Sequence, residues 1–119
     1  MNNKIKGKIG EELAKQYLKK LGFKILETNY HYSKISEIDI IAQKNDTLHF
    51  VEVKTRSSNT FGTPLEAITK TKLNSILTGA KYYLSNTKHR FTKKQIDAIG
   101  IILKNNSESE IQFIEDISL

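Results

Sequence analysis

The sequence predicts an α/β domain in which one helix, three strands, a second helix and two further strands follow one another along the chain. Two observations support this fold class. Apolar residues recur at helical spacing in the stretches 8–21 and 69–84, whereas apolar and polar residues alternate in stretches such as 48–54. The chain has 119 residues, enough for a single hydrophobic core. Because no repeat, linker or low-complexity segment divides it, we expect one domain spanning residues 1–119.

The first helix is predicted for residues 8–21, and Gly22 supplies a signal for its carboxyl-terminal end. One stripe of this helix contains Gly7, Gly10, Glu11, Ala14, Leu18 and Leu21. Glu11 therefore lies at the edge of the core-facing side, beside two glycines that permit close approach of backbone or ligand. Two interpretations remain open: Glu11 is a site residue, or it is a first-turn acid stabilised by the helix dipole.

Five strands are predicted from alternation and from β-branched and aromatic residues. They occupy residues 23–29, 37–42, 48–54, 96–103 and 111–117. Connections are expected at 31–36, at 57–64 with the single proline, and at Asn105-Asn106-Ser107. Thr69 is the predicted N-cap of the second helix. The buried face of that helix is expected to contain Leu73, Ile76, Leu77, Ala80, Tyr83 and Leu84.

The second and third strands are predicted to form a hairpin around Asn45-Asp46, because Asn and Asp tolerate left-handed backbone. Alternation assigns Ile38 and Ile40 to the same face of the second strand. The register expected from this turn pairs Ile41 with Phe50, Ala42 with His49, Asp39 with Glu52, and Glu37 with Lys54.

Two carboxylates, Asp39 and Glu52, are thereby expected to face each other. Like charges directly opposite on adjacent strands are destabilising. A divalent cation between them would reverse the sign of the interaction, and hard cations such as magnesium favour carboxylate oxygen. Lys54, two residues along the same face, would reach the same point. The alternative is a solvated strand face on which Glu37 and Lys54 form an ordinary ion pair of little energetic value.

The charge of the chain favours polyanionic partners. Nineteen Lys and Arg against thirteen Asp and Glu give a net charge of +6, which is typical of nucleic-acid-binding proteins without being specific to them. Lys70 and Lys72 in the first turn of the second helix oppose the helix dipole, which is easier to understand if an anion binds there. Other candidates for phosphate contacts are Lys4, Lys6, Lys8, Arg56, Lys81, Lys88, Arg90, Lys93 and Lys94. The alternative is that these side chains are simply solvated.

Composition also excludes several classes of site. With no cysteine, disulfides, zinc-thiolate sites and cysteine nucleophiles are absent. His31, His49 and His89 share no ligand-like spacing, so no histidine is predicted to be catalytic. No apolar run approaches the length of a membrane span. We expect a cytoplasmic protein with no membrane association.

Four blocks of sequence together resemble the YraN-like family of small bacterial proteins over nearly the whole chain. They are Gly7-x-x-Gly10-Glu11-x-x-Ala14, Glu37-Ile38-Asp39-Ile40-Ile41, Phe50-Val51-Glu52-Val53-Lys54-Thr55-Arg56, and Phe61-Gly62-x-Pro64 with Ala67-Ile68 and Lys72. The chain departs from the family pattern at Ser36, where Gly is usual, and at Gln95-Ile96-Asp97, where Arg-Phe-Asp is common. Neither departure changes a residue that is proposed to bind the metal ion.

That family resembles in turn the PD-(D/E)XK nucleases, and particularly archaeal Holliday-junction resolvases. The resemblance implies a restriction-endonuclease-like core, a central mixed sheet of about five strands flanked by helices. The second helix would cross over to make 96–103 parallel to 48–54. It further implies that Glu11, Asp39, Glu52 and Lys54 form the catalytic set, with Glu11, Asp39 and Glu52 binding magnesium or manganese.

The function expected from the residues and the resemblance together is metal-dependent hydrolysis of DNA, with branched or structured DNA among the substrates. Arg56, Lys70, Lys72, Lys4, Lys6 and Lys8 are expected to hold the nucleic-acid backbone. A homodimer or a partner protein would suit a branched substrate. Two alternatives remain, a nucleic-acid-binding module that cleaves nothing and a small protein-interaction domain.

Overall fold

A computed structural model describes residues 2–34, 36–58, 62–104 and 108–117. Along the chain lie α1 (Asn3–Lys20), β1 (Lys24–Ser33), β2 (Ser36–Lys44), β3 (Thr47–Arg56), a short 3-10 helix (Leu65–Ala67), α2 (Lys70–Ser85), β4 (Lys93–Leu103) and β5 (Ser109–Ile114). The predicted order of one helix, three strands, one helix and two strands is confirmed. The predicted turn at Asn105-Asn106-Ser107 and the motif residue Phe61 lie outside the described residues.

The five strands form one mixed sheet in the order β1-β2-β3-β4-β5. Strands β3 and β4 are parallel, whereas the other three neighbouring pairs are antiparallel. Parallel neighbours require a crossover connection, and α2 supplies it between β3 and β4. The predicted parallel pairing of these two strands is confirmed.

The two helices cover opposite faces of the sheet. On the α1 side the core contains Ala14, Leu18, Phe23, Ile40, Ala42, Val51, Val53, Ile99 and Ile101. On the α2 side it contains Ile38, Ile41, Leu48, Phe50, Ile76, Ala80, Phe91 and Ile96. Because both faces are covered, β3 and β4 are buried along most of their length. Glu52 of β3 and Asp97 of β4, which belong to these buried stretches, therefore lie among apolar neighbours.

Helix α1 is longer than predicted and begins at Asn3 rather than near residue 8. Asn2 is its N-cap, and the side-chain oxygen of Asn2 accepts a hydrogen bond from Ile5 N at 2.8 Å. The apolar spacing starts too late in the sequence to reveal this solvent-exposed first turn. Leu21, predicted on the buried stripe, is 40% exposed, because it follows the last helical residue as the C-cap.

Helix α2 begins where the sequence predicts. Thr69 Oγ1 accepts a hydrogen bond from Lys72 N at 3.1 Å, which confirms the predicted N-cap. Among the described residues, no helix combines the length and apolar character needed to cross a membrane.

Strand β1 continues through His31 and Tyr32 to Ser33, where a polar connection was predicted. That prediction is wrong because β1 is the edge of the sheet, and an edge strand with a solvated face carries polar residues without breaking its pairing. His31 pairs with Glu37 of β2 in the ladder.

The hairpin turn is confirmed. Lys44 pairs with Thr47, so Asn45-Asp46 is a two-residue loop, and Asn45 adopts the left-handed backbone that such turns favour, with φ of 55°. The predicted pairs Ile41 with Phe50 and Ala42 with His49 are also confirmed.

Candidate functional site

The ladder between β2 and β3 stops at the pair Ile40 and Val51 in the described part of the chain. Beyond it, Val53 N donates a hydrogen bond to Asp39 Oδ2 at 2.8 Å. The side chain of Asp39 therefore reaches β3 where main-chain pairing ends. The predicted ladder pairs Asp39 with Glu52 and Glu37 with Lys54 are wrong for this reason.

The alternation of β2 also breaks at Asp39. Ile38 packs on the α2 side and Ile40 on the α1 side, so the prediction that both share one face is wrong. A local break in strand geometry re-aims a side chain. Here the result is a carboxylate that accepts a hydrogen bond from the backbone of the neighbouring strand.

Asp39 and Glu52 are nevertheless close neighbours, as predicted. Both are buried, with exposures of 6% and 2%. Burial, followed by the charge of the Glu52 carboxylate and a hydrogen bond between the two carboxyls, raises the pKa of Asp39 to about 8, against the partial effect of the Val53 hydrogen bond. When both carboxyls are ionised, repulsion between the two buried charges destabilises the metal-free site.

Glu52 has an incompletely satisfied carboxylate. Its Oε1 is buried and has no hydrogen-bond partner, which is uncommon because buried polar atoms are nearly always paired. Its Oε2 lies 3.7 Å from Lys54 Nζ and 3.7 Å from Lys72 Nζ. One oxygen therefore faces two cations while the other faces none of the described donors.

Lys72 was predicted as a phosphate contact, and the structure places it beside Glu52. It lies in the first turn of α2, so it brings a positive charge to Glu52 from the amino-terminal end of that helix. Lys54, predicted to reach the carboxylates, does so from β3. The two lysines thus approach Glu52 from a strand and from a helix.

Glu11 reaches this region from α1. Asn29 Nδ2 donates a hydrogen bond to Glu11 Oε1 at 2.9 Å. Burial raises the pKa of Glu11; the Asn29 hydrogen bond lowers it, and the charges of Asp39 and Glu37 raise it further. The effect of Asp39 on Glu11 shows that the helix carboxylate and the strand carboxylates lie in one electrostatic neighbourhood.

Close packing of α1 on β3 brings Glu11 to this position. A Cβ atom at Gly10 would overlap the hydroxyl of Thr55, so only glycine allows the helix to approach this strand so closely. Gly10 is buried, whereas a Cβ at Gly7 would meet open space. The close approach predicted for the glycines is therefore confirmed at Gly10 alone.

Two surface cavities meet at Glu11. The first, of about 250 Å³, is lined by Lys8, Glu11, Glu12, Lys15, Thr28, Asn29, Asp39 and Ile40. The second, of about 290 Å³, is lined by Asn3, Lys6, Gly7, Glu11, Val53, Lys54, Thr55 and Arg56. Three of the predicted backbone-binding residues, Lys6, Lys8 and Arg56, therefore line a cavity together with Glu11. Lys4 and Lys70 are exposed and line neither cavity.

Two residues of this region were not predicted from the sequence as site residues. Glu37 pairs with His31, with 3.3 Å between Glu37 Oε1 and His31 Nε2, and not with Lys54. Asn29 bonds to Glu11 and has a left-handed backbone, with φ of 49°. A signal for Asn29 was available, because Asn within a strand-like run is a candidate for this conformation.

The donor set fits a hard divalent cation such as magnesium or manganese. All the candidate ligands are carboxylate oxygens, which these ions prefer, and Glu52 Oε1 has no other partner. The ligand oxygens of Glu11, Asp39 and Glu52 do not all lie within 4.8 Å of one another. Asp39 and Glu52 therefore form the centre of the candidate site, and Glu11 lies at its edge.

A second cluster of ligand-type residues consists of His49, Asp97 and Glu115, whose ligand atoms do lie within 4.8 Å of one another. The carboxylate of Asp97 is already satisfied. Its Oδ2 bonds to His49 Nδ1, and its Oδ1 accepts from Gln95 Nε2 at 2.8 Å and from Asp116 N at 2.9 Å. This network ties the segment after β5 to β4, which is a structural role.

Comparisons with known proteins identify the family. Residues 10–101 match the model of a family described as Uncharacterised protein family UPF0102. A UPF0102 protein of Dictyoglomus thermophilum is 46% identical over 108 residues, 91% of each chain. A UPF0102 protein of Syntrophomonas wolfei is 42% identical over 114 residues, 96% of each chain. The chain therefore belongs to the UPF0102 family, the YraN-like proteins that its four sequence blocks resemble.

Proposed function

We propose that this protein is a metal-dependent nuclease that hydrolyses phosphodiester bonds of DNA, with branched or structured DNA among its substrates. The observation that carries the proposal is the buried, unpartnered Oε1 of Glu52 beside the Asp39 carboxyl. Unpaired buried charge is costly, and such cost persists mainly at functional sites. The resemblance of Asp39 and Glu52-Val53-Lys54 to the PD-(D/E)XK nuclease pattern supports the same function.

The cofactor in this proposal is magnesium or manganese. Asp39, Glu52 and the main-chain carbonyl of Val53 would hold it, and Glu11 would contribute through water. When bound, such an ion lowers the pKa of a bound water and neutralises charge on a phosphate. Asp39 must release a proton to bind the ion, because its pKa is raised to about 8. Occupancy should therefore increase as the pH rises toward 8.

The lysines supply positive charge where negative charge develops on the phosphate during hydrolysis. Lys54 orients the attacking water and stabilises that charge. Lys72 lies as close to Glu52 as Lys54 does, so we assign it to the same group and not only to the binding of the backbone.

Affinity for DNA comes from basic residues around the two cavities. Lys6, Lys8 and Arg56 line them, and Lys4 and Lys70, which are exposed, are proposed to add contacts to the nucleic-acid backbone. Contacts of this kind position a nucleic acid without reading its sequence, and their strength falls with added salt. We therefore propose a nuclease whose selectivity depends on the shape of the DNA.

Incubation with branched, single-stranded and duplex DNA in magnesium or manganese tests the proposal. We expect products that depend on the metal and disappear in D39N and E52Q, which also exclude a contaminating nuclease. Binding without products would favour the non-catalytic module. Absence of any salt-sensitive DNA binding would favour a protein-interaction domain.

Crystals soaked in manganese test the metal site directly. We expect anomalous density between the Asp39 and Glu52 carboxylates in the wild type and none there in D39N crystals. Density elsewhere only, for example at His49, Asp97 and Glu115, would overturn the assignment of the site.

A further inference from the structure

Asn29 has an unusual backbone for its position. It lies within β1, between the ladder pairs Thr28 with Ile40 and Tyr30 with Ile38, and therefore opposite Asp39. Its φ is 49°, a left-handed conformation that few residues other than glycine adopt and that Asn tolerates best. Backbone strain of this kind concentrates at functional sites.

The side chain of Asn29 connects carboxylates from two different elements. Its Nδ2 donates to Glu11 Oε1 of α1 at 2.9 Å and lies 3.5 Å from Glu37 Oε1 of β2. Asn29, Glu11 and Asp39 also line the same cavity. The amide thus fixes Glu11 at the cavity that Asp39 also lines.

We propose that Asn29 is a positioning residue that orients Glu11 toward the divalent cation; the inference rests on the proposed nuclease site. An amide suits this role because it donates hydrogen bonds but carries no charge. A lysine at the same place would orient Glu11 equally well but would neutralise it and compete with the cation. Because Asn29 bonds to Oε1 of Glu11, Oε2 of Glu11 remains available to bind an ion or a water molecule of that ion.

A purely structural explanation is that Asn29 is present only because of its left-handed backbone. Glycine accepts positive φ without strain, so N29G separates the two explanations. The change keeps the backbone conformation and removes the amide. Asn45 offers a matched control, because it also has positive φ, at 55°, and lies in the β2–β3 turn.

The experiment is calorimetric titration of manganese into the full-length protein at pH 8. We expect N29G to bind manganese about 10- to 100-fold more weakly than the wild type, the effect typical of residues that support metal ligands. N45G should bind it as the wild type does. In an E11Q background the effect of N29G should disappear, because Asn29 acts through Glu11.

Each alternative outcome is decisive. Wild-type affinity in N29G would overturn the positioning role while leaving the nuclease proposal intact. No manganese binding by the wild type would overturn both. If N29G fails to fold, E11Q alone provides the test, because unchanged affinity in E11Q would remove the role that Asn29 is proposed to support.

Discussion

Two buried carboxylates on neighbouring strands, Glu52 and Asp97, differ in how their oxygens are satisfied. In the ladder between β3 and β4, Asp97 pairs with Val51, the residue that precedes Glu52. Asp97 and Glu52 are both at most 2% exposed. Asp97 accepts hydrogen bonds from His49, Gln95 and Asp116 N. Glu52 has one oxygen with no partner and another shared by two lysines.

The difference shows that burial of a charge does not by itself mark a functional site. A fully hydrogen-bonded carboxylate stabilises the groups that bond to it, whereas an incompletely satisfied one costs free energy that a bound ligand can recover. By this criterion Asp97 is structural and Glu52 belongs to the candidate active site. The two assignments make opposite predictions for stability and for cleavage.

The largest expected effect on stability is that of D97N. The amide of Asn keeps one acceptor oxygen, so either His49 or the pair of donors from Gln95 and Asp116 N faces an NH2 group instead of an acceptor. An unsatisfied buried polar group of this kind costs about 1 to 3 kcal/mol. Urea unfolding of the metal-free protein measures the change. The control E110Q, in the exposed pair with Lys104, should cost less than about 1 kcal/mol. If D97N were as stable as the wild type, Asp97 would have no structural role and the contrast with Glu52 would be wrong.

D39N and E52Q should show the opposite behaviour. We expect the metal-free variants to be as stable as the wild type or more stable at pH 8, where Asp39 begins to ionise, because each change removes one of two like-charged buried carboxylates. Cleavage should fall by more than about 100-fold, the upper range for residues that only support a metal ligand. Melting temperatures and rates of cleavage in manganese check both expectations. A marked loss of melting temperature in both variants would indicate a structural role instead.

The pH dependence of stability should depend on Asp39. Its pKa is 3.8 in the unfolded chain and about 8 in the folded, metal-free protein. Between these values the folded state holds a proton that the unfolded state has lost, so the contribution to stability is complete below pH 4 and is lost as the pH rises to 8. Denaturation across this range should show a smaller decline in D39N than in the wild type. Equal declines would show that Asp39 is not the group responsible.

The smallest effects are expected from the basic residues. K6A and K8A should each reduce the slope of log affinity for DNA against log salt by about 1. The controls K88A and K94A change exposed lysines that border a different cavity and should leave the slope unchanged. Fluorescence anisotropy of labelled DNA at several salt concentrations measures this slope. A larger effect from the controls would place the DNA on another surface.

Much of the fold was predictable because its signals are local. Helical spacing, strand alternation, the Thr69 cap and the Asn45-Asp46 turn depend on residues within a few positions of one another. They gave the order of elements, the hairpin and the register of Ile41 with Phe50, and hence the proximity of Asp39 to Glu52. The edge strand β1 was predicted too short because its pairing partner, and not its own pattern, holds residues 31–33 in the sheet.

By itself, the sequence determined that Asp39, Glu52 and Lys54 would lie close together on neighbouring strands, because the two-residue turn sets the register of those strands. Only the tertiary structure decided how each oxygen is satisfied. The end of the β2–β3 ladder at Ile40, the approach of Lys72 from α2 and the bond from Asn29 to Glu11 all join residues far apart in the chain. Periodicity contains no information on such contacts, because they depend on how the helices pack across the finished sheet.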